Sequence, residues 1–447
     1  MLNTAGLSLE QAPPISIPFR FFLLAPLFGI AAGALLLAVG EEALISRWSP
    51  VTLALTHLLT LGLLGLVMCG AMLQILPVIA GSPVPRVVLV GTLSHLLLVG
   101  GILVLQGGFF GLGAGLMELA IALLGSGFLV FVSGVSVALW RVRTPSPTIV
   151  GMRLAVAALV VTVVLGTLLA GGYAGLFRIA GLAGLTDTHL AWGLAGWIGL
   201  LLMSVSFQVV PMFQVTPEYP VWFRRRVPGA LFVGLLLWLW LRYATLQLGW
   251  SPLWETLWSA SIGALFALYA GITLRLQQRR KRRVVDVTLL FWRLAMVCLL
   301  LLSGALVAVM VWPDLGSNTR FPLFLGIVLL LGVALPAVNS MLYKIVPFLS
   351  WFHLQKRQLT LMCMSVPVPH MRQFVSDTAA RRQYHAAWLA LLSALLALIW
   401  PSLFARAAGG LFALSNLLLL GNLLRAMALY RSTAVALSRC GDDPNSH

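Results

Sequence analysis

Two segments of the chain place the same residue types in the same order. The first reads Thr56-His57-Leu58, then Gly62, Gly65 and Met68, then Gln74-Ile75-Leu76-Pro77. The second reads Thr188-His189-Leu190, then Gly193, Gly196 and Met203, then Gln208-Val209-Val210-Pro211. A neutral imidazole is the commonest side chain for holding a metal or a heme iron. On a helix, Gly193 and Gly196 fall one and two turns beyond His189 on its own face, a smooth surface for a porphyrin edge. His57 and His189 are therefore candidate axial ligands of heme b, with copper or another metal as a second chemistry. The structural alternative is that each imidazole bonds a carbonyl of a neighbouring helix and only packs.

Other residues extend the candidate set. His95 falls near the middle of an apolar run, as a third ligand, a proton relay or a helix–helix hydrogen bond. Glu118 reads as a carboxylate inside the membrane, where such groups face the protein interior and often have a function. It is a candidate partner for a cofactor-bound histidine. Lys344 heads Lys344-Ile345-Val346-Pro347, in the place that Gln74 and Gln208 occupy in the other two segments. The three side chains are expected to form a polar ring, either a transport or proton path or a cover for carbonyls freed by the prolines. At a rise of about 1.5 Å per residue, Gln74 lies about 25 Å from His57, so ring and histidines are separate sites. Met68, Met72, Met203 and Met212 read as packing residues. Cys69, Cys298, Cys363 and Cys440 have no zinc or redox spacing, and no disulfide is expected.

The elements that position these groups lie in lipid. Of 447 residues, 60% are hydrophobic and 9% charged, against about a quarter charged in a soluble fold. Twelve apolar runs, the first at 19–40 and the last at 408–430, are each long enough to cross a bilayer. They lack period-2 alternation, which points to helices and away from a barrel. The net charge of +17 does not indicate a nucleic-acid partner, because the basic residues fall in short connections. With the N-terminus placed in the cytoplasm, 23 of the 29 Lys and Arg fall on the cytoplasmic side and 5 outside. Both termini are thus expected in the cytoplasm of a bacterial cell, with the body in its inner membrane. The N-terminus has no basic segment followed by a cleavage site, so the first run is expected to stay as an anchor.

The expected organisation is a tail at 1–18, one membrane domain at 19–430 and a tail at 431–447. A cytoplasmic loop at 353–384 interrupts the domain and carries a short interfacial helix. The related segments lie on runs two, six and ten, four apart. That spacing predicts an all-α protein of twelve transmembrane helices, in three four-helix units around a pseudo-three-fold axis.

This arrangement resembles subunit I of the heme-copper oxidase superfamily. It is also similar to the NnrS family of membrane heme proteins associated with nitric oxide stress. The opening Pro18-Phe19-Arg20-Phe21-Phe22-Leu23-Leu24-Ala25 looks like the start of that family's first span, with the proline displaced. The segment from His57 to Leu76-Pro77-Val78-Ile79-Ala80-Gly81 looks like its second span, without the Asn-Trp-Thr of the family ending. The resemblance implies heme b and a role in nitric oxide or metal stress, with a respiratory or denitrification enzyme or a quinol as partner. The oxidase pattern also needs histidines on spans seven and ten. Span seven here has none, and span ten has none before His353 at its inner end, so oxygen reduction is not expected.

Two other functions stay open at this point. A solute or metal transporter would use Gln74, Gln208, Lys344 and Glu118. A scaffold for assembly of a respiratory or copper enzyme would need no cofactor. Enzyme, sensor and transporter are not separated by these residues.

Overall fold

An apolar run in lipid can satisfy its backbone N–H and C=O groups internally only as a helix. The computed structural model describes residues 13–281 and 284–442, and among them there are helices and no strands. The helices used below are α1 (Ser16–Val39), α2 (Pro50–Ala80), α3 (Val87–Phe109), α4 (Leu116–Arg141), α5 (Pro147–Tyr173) and α6 (Leu182–Gln214). They continue as α7 (Val221–Leu248), α8 (Pro252–Gln278), α9 (Val287–Val311), α10 (Phe321–Thr360), α11 (Asp377–Ala397) and α12 (Pro401–Gly441). Several starts follow one local rule. Ser49-Pro50, Ser146-Pro147 and Ser251-Pro252 each put a serine at the N-cap, its hydroxyl accepting a backbone N–H, and a proline in the first turn.

Eleven described helices are long and apolar enough to span a membrane. The chain is an all-α, multi-pass membrane protein. The exception is α11, whose first turns carry Asp377, Arg381 and Arg382. The apolar run expected at 385–404 is not one helix: α11 ends at Ala397, and Pro401 starts α12. A proline lacks the N–H needed to continue a helix.

Two expected connections are also shorter than the sequence indicated. α10 continues past 353 to Thr360, and the connection to α11 holds a one-turn helix at Met371–Phe374. The tail expected from 431 is helical as far as Gly441, with Leu437 fully buried. Helices run beyond the apolar layer here because Leu354 and Leu437 still have protein to pack against.

Burial sorts the helices. In α2, α6 and α10 the spanning windows are 78%, 61% and 56% buried, against 28–39% in the other eight. These three are the inner helices, and the rest face outward. Each inner helix also carries a π-helical stretch, at Leu58–Gly65, Ala191–Gly199 and Val328–Ala334. π-Helical turns widen the helix locally and occur mostly at functional sites. The first and last helices pack on each other. A Cβ on Gly33 would stand 2.5 Å from the Ala413 backbone nitrogen and 2.7 Å from the Gly409 carbonyl oxygen, so α1 and α12 touch backbone to backbone.

Candidate functional site

A cavity of about 1440 Å³ lies among α2, α5, α6, α8, α9 and α10. Its lining is mostly Leu, Ala, Ile and Gly, and it includes both His57 and His189. Each imidazole sits just ahead of the π-helical stretch of its helix: His57 precedes Leu58–Gly65, and His189 precedes Ala191–Gly199 with one residue between. The end of the molecule that holds them is called the histidine end below. The opposite end, with Arg224–Arg226 and Arg279–Lys281, is the basic end.

The hydrogen bonds fix the histidine tautomers. His57 Nδ1 lies 2.8 Å from the carbonyl oxygen of Leu53, one turn back on α2. His189 Nδ1 lies 3.0 Å from the carbonyl oxygen of Thr162 on α5. A carbonyl only accepts, so each Nδ1 carries the proton and donates it. In the neutral ring Nε2 then holds a lone pair, the state of a metal-ligating imidazole oriented through its other nitrogen. Among the described residues neither Nε2 has a hydrogen-bond partner. The His57 ring rests on Phe109 at 5.1 Å, and Phe109 in turn meets Tyr173 edge-on. The His189 ring lies over Gly166 of α5, where a Cβ would come within 3.0 Å of its Cε1. Both rings are thus held by a backbone acceptor and a neighbour of fixed shape.

An ionic network frames the cavity mouth. Asp187 accepts from Arg47 at 2.6 Å and from Arg242 at 2.9 Å. Arg242 also donates to Glu255 at 2.5 Å and stacks on Trp238. These four side chains are 18–28% exposed, so the pairs sit where removing one partner would leave a costly lone charge. Arg178 lines the same mouth and is exposed. Sequence reading passed over Asp187, although an acid two residues before a candidate ligand was an available signal. Its partner Arg47 is 140 residues away, and nothing in the sequence joins them.

The other candidates are placed differently. Gly193 lines the cavity, but Gly196 faces α5: a Cβ there would meet Ala158 at 2.9 Å. Its role is close helix packing. Glu118 is exposed in the first turn of α4 and is not buried as expected. A carboxylate at that position is favoured by the helix dipole. His95 is not in the cavity wall. Its Nε2 lies 3.3 Å from the Arg20 carbonyl oxygen, and its ring meets Phe21 edge-on. The helix–helix bond accounts for it. Lys344 donates to Asp286 at 2.8 Å, Gln74 is buried with no partner for its amide among the described residues, and Gln208 is half-buried. No hydrogen bond joins these three among the described residues, and none of them lines the cavity.

Two further points concern the remaining ligand types. Cys363 and Cys440 form a disulfide, with Cα atoms 6.0 Å apart, contrary to expectation. Their separation of 77 residues hid the pairing, which depends on α12 running helical beyond 430. His385 accepts from the Trp388 indole, and His447 lies outside the described residues. Among the described residues no three His, Cys, Asp or Glu side chains converge as a metal site.

No protein-family model matches this chain, and no curated protein matches it significantly. The likeness to the NnrS and heme-copper oxidase group therefore rests on the quoted residues alone.

Proposed function

We propose that the chain is a heme-b-binding protein of the bacterial inner membrane, with both termini cytoplasmic, related to the NnrS and heme-copper oxidase group. In this reading it has twelve membrane helices in three units of four, with α2, α6 and α10 innermost. The three π-helical stretches, four helices apart in order, support the repeat. The observation that carries the functional reading is the pair of imidazoles in one apolar cavity, both with Nδ1 committed to a carbonyl and Nε2 without a partner.

The donor set separates the possible metals. A zinc or copper ion bound by protein alone takes three or four donors, and no such group converges among the described residues. Heme iron needs only one or two axial ligands. The wall is apolar, as a porphyrin face requires, and the exposed Arg178 at the mouth suits a carboxylate. When bound, the group would supply reversible one-electron chemistry or the binding of a small diatomic ligand. His57 and His189 would hold it, and Phe109 and Gly166 would hold their rings. The role is then binding, sensing or electron relay under nitric oxide or metal stress, with a quinol or a respiratory or denitrification enzyme as partner.

Titration of the purified, heme-free protein with hemin tests this. Wild type is expected to develop a low-spin Soret band that saturates. His57→Ala and His189→Ala should each weaken binding by about tenfold or more, or convert the spectrum to high spin. Identical titrations for all three proteins would sink the reading.

The size of the cavity favours one second reading, since small-molecule sites run to about 1,000 Å³. A cavity of about 1440 Å³ with an exposed mouth also suits a solute carrier. Liposome uptake that collapses in Arg178→Ala, at the cavity mouth, would favour that reading; uptake unaffected by the change would count against it.

A further inference from the structure

At the basic end α10 stops in a tight turn. The N–H groups of Met362 and Cys363 return to the carbonyls of Leu359 and Gln358, and Met362 takes a left-handed conformation with φ +57°. This is a Schellman cap, and glycine is the usual residue at that position. Any other residue is strained there. The Met362 side chain is exposed, so its own packing does not hold the turn. The next residue is anchored instead: Cys363 is 1% exposed and bonded to Cys440, in the last turn of α12.

The disulfide therefore ties the start of the connection after α10 to the end of α12. Around it, Gln358 Nε2 donates to the Val366 carbonyl at 2.8 Å, and a Cβ on Gly441 would stand 3.1 Å from the Leu361 side chain. Farther into the body Asn422 of α12 donates to the Tyr343 hydroxyl of α10 at 2.9 Å. The two helices are thus joined independently of the sulfurs. What the bridge alone decides is whether the turn at Met362 is held against α12.

The two sulfurs differ in access. Cys363 is buried, whereas Cys440 is half-buried, with the Ser365 hydroxyl 3.6 Å from its Sγ. Arg357 donates to the Ser438 hydroxyl, two residues before Cys440, and Arg357 and the adjacent Arg439 are both exposed. Thiol–disulfide exchange runs at partly exposed sulfurs with positive charge nearby. Cys69 and Cys298 lie buried within the spans and remain free thiols.

In the proposed orientation the basic end faces the cytoplasm, where thiols are kept reduced and a disulfide is usually transient, catalytic or redox-sensing. We propose that Cys363 and Cys440 form a reversible redox couple that exchanges with a cytoplasmic protein dithiol. The proposal rests on that orientation and not on heme. In reduction, one partner thiol loses its proton and attacks Cys440 Sγ; the bond to Cys363 breaks, and the Cys363 sulfur leaves and takes a proton. The partner's second thiol then attacks its own sulfur in the mixed disulfide, and Cys440 leaves and takes the second proton. Two electrons and two protons have passed to the couple, and the partner has become a disulfide. An oxidised partner drives the reverse. Oxidation fastens the connection to α12; reduction leaves the turn at Met362 without its anchor.

The test counts thiols on the full wild-type chain in cells, so no variant has to fold. Cells are quenched in acid, and free thiols are read as gel shifts with a maleimide polymer in denaturant. Of the four cysteines, all four are expected to react in growing cells, two after a pulse of the thiol oxidant diamide, and four again once it is removed. Mass spectrometry of the unreduced two-thiol form should join the peptides carrying Cys363 and Cys440. Purified oxidised protein should also trap, as a mixed disulfide, a thioredoxin whose second cysteine is replaced by serine. Four thiols throughout, two throughout, or no trapped adduct would each overturn the proposal. A separate C-terminal fusion to a green fluorescent protein that lights only in the cytoplasm reads the orientation. Two thiols throughout with a dark fusion would mean that the orientation has failed as well; with a fluorescent fusion, only the exchange has.

Discussion

At the scale of single residues, His57 and His189 stand out because hydrogen bonding fixes which nitrogen is free. The sequence indicated both as candidate ligands and placed them at similar depth. It did not indicate the acceptors, because the Thr162 carbonyl that orients His189 belongs to another helix, 27 residues away. Gly166 is a second residue with no sequence signal, and it supplies a prediction. A Cβ there comes within 3.0 Å of the His189 ring, so Gly166→Val must displace the imidazole. The expected result is weaker hemin binding with thermal stability lowered by no more than about 1–3 kcal/mol. Unaltered binding in the folded variant would mean that His189 is not a ligand. Glu118 shows the opposite error. A carboxylate close to an apolar run looked intramembrane, but the helix starts at Leu116 and leaves it in an exposed first turn.

At the scale of elements, the apolar runs foretold most of the helices but not their ends. Length and hydropathy describe the lipid-facing part, whereas α10 and α12 extend beyond it through contacts between distant segments. The π-helical stretches were not legible either, since Gly62 and Gly65 or Gly193 and Gly196 fit an α-helix equally well. Two predictions belong here. Gly33→Leu should force α1 and α12 apart, because the neighbouring atoms are backbone and cannot yield. A loss of about 1–3 kcal/mol or more is expected, read as a lower melting temperature. The second concerns the Asp286–Lys344 pair that ties the start of α9 to α10. Burial tends to raise the Asp286 carboxyl, but the Lys344 ammonium, its hydrogen bond and those from Thr288 and the Leu289 N–H outweigh this and hold it below its ordinary value. A carboxyl lowered on folding stabilises the fold above its unfolded value, and that contribution fades as pH falls through the depressed one. Melting temperatures of wild type and Asp286→Asn should therefore differ at neutral pH and converge in acid. A constant gap across that range would contradict the assignment.

At the scale of the whole molecule, a bilayer-embedded helical body was the most legible property, because composition alone requires it. The partnerships that cross the body were the least legible: α1 with α12, Arg47 with Asp187, and Cys363 with Cys440. Each joins positions far apart in sequence, and only closure of the bundle brings them together. The cysteine pair also reports on orientation. If the basic end is cytoplasmic, a membrane-impermeant maleimide should label Cys440 in inverted vesicles after reduction and leave it unlabelled in intact cells. The reverse pattern would invert the topology. The central claim, that the cavity between the two histidines holds heme, is tested most directly by the cofactor content of the purified protein. After expression with heme supplied, the optical spectrum and iron analysis together should give a Soret band and about one iron per chain. Protein that is folded and monodisperse but has neither Soret band nor iron would contradict it.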